Sequence, residues 1–264
     1  MSALMYHDIV EAGASDSSGF AGRDAALYKV APGLFDAHLD EILRSMARAA
    51  PPHGFEPTFD DGGVAAMTAA DGLEKRGLKG HFFITVNYIG TRGFVSKKHL
   101  VELRRRGHQI GSHSCSHPLR MGHCEWPQLI HEWARSRTVL SDLLSEDVRT
   151  GSIPGGDFSP SVARAAADAG YLKLFTSEPS AVPVTVHGLT LVGRFAVRRW
   201  TSARTAAALA SERILPCAQQ AVLWNARKLA KRVGGREYLG LRRILLGLGD
   251  DSRWGDDGWR ERRD

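Results

Sequence analysis

Apolar residues along this chain fall into short blocks of two kinds, and the two kinds alternate. Phe35, Leu39, Ile42, Leu43 and Met46 follow Pro32-Gly33 at 3.6-residue spacing, and Leu129, Trp133, Val139, Leu140 and Leu143 form a similar stripe within residues 126–144. Residues 64–75, 97–106 (closed by Gly107) and 159–169 read as further helices. Between them, Leu4-Met5-Tyr6, the run ending at Phe59, and residues 81–86, 108–112 and 171–175 read as strands. Residues 11–22, rich in Gly, Ser, Ala and Asp, read as a mobile loop. This alternation predicts an α/β fold with parallel strands and helical crossovers, as a barrel or an open sheet. In a barrel, residues just after strands gather at one mouth. Asp60, Asp61, His113, His117 and Pro154 all hold such positions.

Two of these segments carry candidate chemistry. In Thr58-Phe59-Asp60-Asp61-Gly62 two carboxylates are adjacent, which is costly for two anions unless a cation shares them. In His113-Ser114-Cys115-Ser116-His117-Pro118 two imidazoles four residues apart can meet one ion if the segment forms a helical turn. One Asp and two His make three ligands for a divalent cation and leave positions open. The second Asp is then free to act as a base. Alone, an Asp-Asp-Gly triplet is an ordinary turn and a His pair an ordinary helix surface. Together, each behind an apolar run, they point to a hydrolytic metal site. His81, His99 and His108 fall in predicted scaffold, and His123, Cys124 and His131 match no zinc spacing.

Composition narrows the class. With 264 residues, 43% hydrophobic and 24% charged, the chain can bury a core without staples. Three cysteines, Cys115, Cys124 and Cys217, make no even disulfide framework and favour a reducing compartment. The first residues form no signal peptide, and no run of some eighteen apolar residues occurs, so a cytoplasmic protein is expected. The net charge of +6 is uneven: from His187 onward there are 16 Lys and Arg against 8 Asp and Glu. No nucleic-acid recognition pattern accompanies that charge, and no nucleic-acid partner is expected. Residues 206–248 read as helical, with breaks at Pro216 and Gly234-Gly235. There, Arg227, Lys228, Lys231, Arg232, Arg242 and Arg243 suit either a solvated helix face or peripheral contact with an anionic membrane. The expected division is a domain over 1–195, a basic helical extension packed on it over 196–248, and a disordered tail over 249–264.

The two motifs resemble those of the polysaccharide deacetylase family, the NodB-homology domains of carbohydrate esterase family 4, over roughly residues 1–180. The resemblance implies a deformed (β/α) barrel with fewer than eight complete units, one divalent metal ion with zinc as the default, and hydrolytic removal of an acetyl group from an N-acetylated amino sugar. It makes Asp61, His113 and His117 the metal ligands and Asp60 the base that takes a proton from the attacking water. The family's third motif, Arg-x-Pro-x-Gly, is half present as Ser152-Ile153-Pro154-Gly155-Gly156, with Ser152 at the arginine position; either Arg149 reaches back to fill the role or the role is absent. The backbone N–H of Gly155 is then an oxyanion donor, and Pro154, Asp157 and Glu178 are candidate substrate contacts. The usual late Leu-x-x-His has no good counterpart near His187. Leu4-Met5-Tyr6-His7 fits it at the opposite end, which resembles the circularly permuted members and makes His7 the acid for the leaving amine. The expected function is de-N-acetylation in intracellular glycan or glycoconjugate biosynthesis, on a substrate that is lipid-linked, nucleotide-linked or otherwise an intracellular precursor. The rivals are hydrolysis of a non-sugar C–N amide and a non-catalytic glycan- or metal-binding barrel, the latter disfavoured by an intact Asp60.

Overall fold

Strand side chains alternate between two faces, and here the alternation decides what enters the site. The computed structural model describes residues 2–48 and 54–226. In chain order the main elements are β1 (Ser2–Tyr6), α1 (Arg23–Ala26), α2 (Pro32–Ala47), β2 (Phe55–Phe59), α3 (Ala66–Glu74), β3 (His81–Ile84), α4 (Lys97–Arg105) and β4 (Gln109–Ser112). There follow α5 (Trp126–Leu144), β5 (Thr150–Ser152), α6 (Pro160–Asp168), β6 (Lys173–Phe175), β7 (Val184–Val186), β8 (Leu189–Val192), β9 (Phe195–Ala196) and α7 (Ala203–Ala210). The strands form one curled sheet in the order β7-β8-β6-β5-β4-β3-β2-β1-β9. It is parallel except for the β7–β8 hairpin. The sheet is a half-barrel, matching the expected deformed barrel.

Leu4 and Tyr6 of β1, Phe55 and Phe59 of β2, and Phe82 and Ile84 of β3 point outward into one core with Phe35, Leu39 and Ile42 of α2. A second core gathers Leu129 and Trp133 of α5, Val162 and Ala166 of α6, and Tyr171 and Leu174. The opposite parity faces the inside of the curl, where Ala3, Phe83 and Phe175 pack together. Below them, Glu56, His81, Thr150 and Lys173 form a polar floor, with His81 paired to Glu56 and Thr150 and Lys173 paired to Glu56. Following β2 upward along this face leads from Glu56 through Thr58 to Asp60.

The helices expected over 64–75, 97–106, 126–144 and 159–169 recur within a residue or two, α5 with identical ends, whereas the break expected at Pro216 falls at 211–213 and residues 214–226 run helical through that proline. His99 is a capping residue, exchanging hydrogen bonds with Ser96 at the start of α4. His108 accepts from Gly80 N and pairs with Glu74. The hairpin and β9 lack readable periodicity because they span only two to four residues each. His187 sits in the two-residue hairpin turn with Gly188, both at positive φ, so its place is dictated by turn geometry.

The expected boundary at 195 falls inside a larger unit: residues Met1–Gln220 are one compact body and Ala221–Asp264 a second. The reason is α7, which packs on α2 and whose Leu209 carbonyl accepts from Ser2 Oγ at the start of β1. Residues 214–226 are helical. Arg227, Lys228, Lys231, Arg232, Arg242, Arg243 and the tail 249–264 lie outside the described residues. No helix among the described residues is long and apolar enough to cross a membrane.

The loop expected to be mobile is pinned. Lys29 donates to the carbonyls of Ser15 (2.5 Å), Phe20 (2.7 Å) and Ser18, and stands 3.7 Å from the buried Asp8. Ser18 Oγ donates to Asp8 Oδ1 at 2.6 Å and accepts from Ala65 N at 2.8 Å. Gly63 closes this lock, since a Cβ there would stand 2.0 Å from Asp8 Oδ1, 2.5 Å from Ser18 Oγ and 2.8 Å from Gly19 N. Gly63→Ala is therefore expected to lower stability by about 1–3 kcal/mol, as overpacking does. Chemical denaturation checks this, and an unchanged midpoint would mean that the lock yields without cost.

Candidate metal centre and active site

Asp60 and Asp61 follow β2, and the chain turns sharply between them. Asp61 has φ 76° and Gly62 φ 83°, left-handed values that swing the second carboxylate toward the same mouth as the first. His113 leaves β4 on the inward face. His117 reaches it without the expected helical turn: Ser114 (φ 64°) and His117 (φ 60°) are left-handed, and the segment is an irregular loop. Among the described residues, three of the six non-glycine residues with positive φ are thus Asp61, Ser114 and His117, the kind of strain that persists where surrounding contacts enforce it.

For the His113–His117 loop, those contacts come largely from Glu132. Its buried carboxylate accepts from Cys115 N (2.8 Å), Ser116 N (2.9 Å) and Ser116 Oγ (2.6 Å). Ser112 Oγ accepts from Ser114 N, and Ser114 Oγ from His117 N. Side chains thereby replace the backbone bonds that a helical turn would have made. Glu132 was missing from the sequence reading, though an acid on the buried stripe of α5, between Leu129 and Ser136, is a usable signal. Cys115 is a core residue whose thiol is pushed up to about 12 by burial, with Glu132 adding to the effect.

Asp61 Oδ1 lies 3.4 Å from His113 Nε2 and 3.4 Å from His117 Nε2. Ligand atoms of a tetrahedral cation with bonds of about 2.0–2.2 Å sit roughly 3.3–3.6 Å apart. Asp61 Oδ1 is buried and accepts no hydrogen bond. His113 Nδ1 donates to Ser152 O at 3.0 Å, which leaves the lone pair of Nε2 facing Asp61. Among the described residues, these three are the one group of His, Cys, Asp or Glu whose ligand atoms all lie within 4.8 Å of one another. An orphaned buried oxygen between two imidazoles fits a divalent cation. Burial pushes the Asp61 carboxyl up, but the charge of His7 and the two facing imidazoles hold it well below the usual carboxylate range.

Asp60 is buried beside this triad. Arg194 grips it through a bidentate fork, Nη1 to Oδ1 and Nη2 to Oδ2, both at 2.7 Å, and Ser152 Oγ adds a 3.2 Å bond to Oδ2. Burial alone would raise its carboxyl, yet the charge and the fork of Arg194 lower it, so Asp60 is an anion. The sequence reading missed Arg194 and offered Arg149 instead, but Arg149 is half-exposed and pairs with Asp147.

His7 follows β1 on the inward parity of Ala3 and Met5. Its ring stacks on Tyr28 with centroids 4.7 Å apart, and its Nδ1 is buried without a hydrogen-bond partner among the described residues. The opposite rim is aromatic, with Phe20 packed 4.7 Å from the His117 ring and against Tyr88 and Phe94. Gly155 has φ 60°, and a Cβ there would stand 3.1 Å from Leu119 O. Asp157 accepts from Gly122 N, and Glu178 lies in the loop after β6, where its carbonyl accepts from Arg194 N.

The family profile described as polysaccharide deacetylase matches residues 49–174. That span holds Asp60, Asp61, His113 and His117, the residues that meet in the mouth. Residues 49–174 belong to the polysaccharide deacetylase family. YxkH of Bacillus subtilis (strain 168), classed as a polysaccharide deacetylase, is 28% identical over 125 residues, 47% of this chain and 44% of YxkH. This chain thus matches less than half the length of that relative. The Streptococcus pyogenes deacetylase PplD in complex with acetate superposes with a TM-score of 0.61 at 21% identity, over 77% of this chain and 95% of PplD. IcaB from Ammonifex degensii gives 0.63 at 20% identity, over 79% and 96%. The half-barrel is shared with both. His7 and Arg194 lie outside the family match and enter the same mouth from β1 and from the turn before β9, strands that pair with each other at the sheet edge.

Proposed function

We propose that this polysaccharide deacetylase hydrolyses the N-acetyl amide of an amino-sugar substrate, using one divalent cation held by Asp61, His113 and His117. The observation that carries the reading is the unpartnered Asp61 Oδ1 at 3.4 Å from both imidazoles, with a separate, buried, ionised carboxylate next to it. When bound, a divalent cation supplies Lewis-acid chemistry, polarising the acetyl carbonyl and acidifying water. Asp60 accepts the proton of the attacking water. The Gly155 N–H stands as an oxyanion donor and His7 as the proton source for the departing amine nitrogen, so the carbon–nitrogen bond breaks to leave a neutral amine and acetate. Zinc suits the one-carboxylate, two-imidazole donor set. Pro154, Asp157 and Glu178 remain candidate substrate contacts. The substrate proposed is an amino sugar carried on a lipid or nucleotide within the cell, with peripheral membrane contact through the basic C-terminal residues.

Acetate release from the zinc-loaded protein, across nucleotide-linked, lipid-linked and oligomeric N-acetyl sugars, tests this. Release from one class names the carrier. Cation binding with no release from any of them would favour a binding protein. Glu132→Leu should weaken cation retention about 10–100-fold, the usual cost of losing support behind a metal ligand. Competition with a chelator measures it, and unchanged retention would show that the His113–His117 loop holds its own shape.

A further inference from the structure

Gly193-Arg194-Phe195 carries no recognisable motif, yet the Arg194 side chain is wholly excluded from solvent and all five of its N–H donors have acceptors. Nε donates to Thr176 O at 3.0 Å. Nη1 donates to Thr58 Oγ1 at 3.0 Å and Asp60 Oδ1 at 2.7 Å. Nη2 donates to Asp60 Oδ2 and Ser152 Oγ, both at 2.7 Å. The rings of Phe83 and Phe175 lie 5.6 and 5.8 Å from its guanidinium carbon. With both carboxylate oxygens in one planar fork, Asp60 has a single orientation.

Ser152 ends β5 at the position where the resembled motif places an arginine. Its hydroxyl touches both Arg194 Nη2 and Asp60 Oδ2, so the space beyond its Cβ is filled by the guanidinium of Arg194. A side chain as long as arginine at 152 and Arg194 as it stands would compete for that space. We infer that Arg194 and Ser152 form one relocated guanidinium seat: Arg194, delivered by the turn before β9, is the positioning residue for Asp60, and the small Ser152 is what admits it. This rests on the reading of Asp60 as the proton acceptor.

The test is a swap read in two ways. Arg194→Ala is expected to lose kcat about a hundredfold, the effect of a slightly misplaced catalytic group, with KM within threefold and zinc content unchanged. Arg194→Lys should recover less than tenfold, because a single ammonium cannot hold both oxygens. Ser152→Arg alone should be impaired by crowding. Ser152→Arg combined with Arg194→Ala should regain at least about tenfold in kcat over Arg194→Ala, together with part of its melting temperature, since the seat is again singly filled. The melting temperature does not depend on the reaction, so it still reports on the seat if the wild type proves inactive toward N-acetyl sugars. If Arg194→Ala does not fold, the swap is judged by whether adding Ser152→Arg restores a cooperative melt. The proposal is overturned if Arg194→Ala keeps kcat within threefold. It is overturned equally if the double variant is worse than either single one in both kcat and melting temperature, or if Arg194→Ala costs as much kcat in an Asp60→Asn background as in the wild type.

Discussion

Asp61→Ala, His113→Ala and His117→Ala should each leave a folded protein that no longer retains a divalent cation, while Asp60→Asn keeps the cation and loses turnover by at least about a hundredfold. The division follows from where the lone pairs point. Asp61 Oδ1 is buried, bare of hydrogen bonds and 3.4 Å from both Nε2 atoms, so removing any one of the three leaves two donors where three are needed. Asp60 has both oxygens bound by Arg194 and one by Ser152, and its place in the site is held by those bonds. Asparagine preserves its shape and one acceptor oxygen but removes the anion that takes a proton. Elemental analysis after dialysis gives cation content without reference to activity. Equal cation loss in Asp60→Asn and Asp61→Ala would show that both carboxylates are ligands and would end the assignment of separate roles.

Much of this site was legible because strand parity and the two motifs agree. Period-2 alternation puts Glu56, Thr58 and Asp60 on one face of β2, and the apolar Phe55 and Phe59 on the other. The sequence alone could not show how the neighbouring Asp61 shares that face, since it depends on one left-handed residue before Gly62. The helical turn expected between His113 and His117 failed for a similar reason. The buried Glu132 offers that backbone acceptors which helix hydrogen bonding cannot match, and a contact between α5 and a loop sixteen residues away leaves no local trace. Arg194 was hidden more deeply. Parity does place it inward, because Phe195 packs outward with Leu4 and Tyr6, but β9 is two residues long and gives no period to read. The half-barrel itself was the easiest part, since α2, α5 and α6 bury the stripes that the apolar spacing marks.

His7→Gln should reduce turnover on an N-acetyl sugar by about 10²–10⁴-fold, the range for loss of a general acid, with cation content unchanged. His7 lies on the inward line of β1 after Ala3 and Met5. It reaches the mouth beside Asp61 because β1 pairs in register with β2, Tyr6 against Phe59. Its ring is braced on Tyr28, and its buried Nδ1 has no hydrogen-bond partner among the described residues. Nothing from the end of the chain competes for the role among the described residues, since His187 is exposed in the β7–β8 turn. The assignment predicts a dependence on leaving group that a packing role would not produce. An amide must expel a basic nitrogen and needs a proton there, whereas an aryl acetate expels a weakly basic oxygen and does not. His7→Gln should therefore cost less than about tenfold on an aryl acetate while the loss on the amide stays in the range above. Equal losses on both substrates would make His7 a support for Tyr28 and the Asp61 turn, and the acid would have to be sought elsewhere.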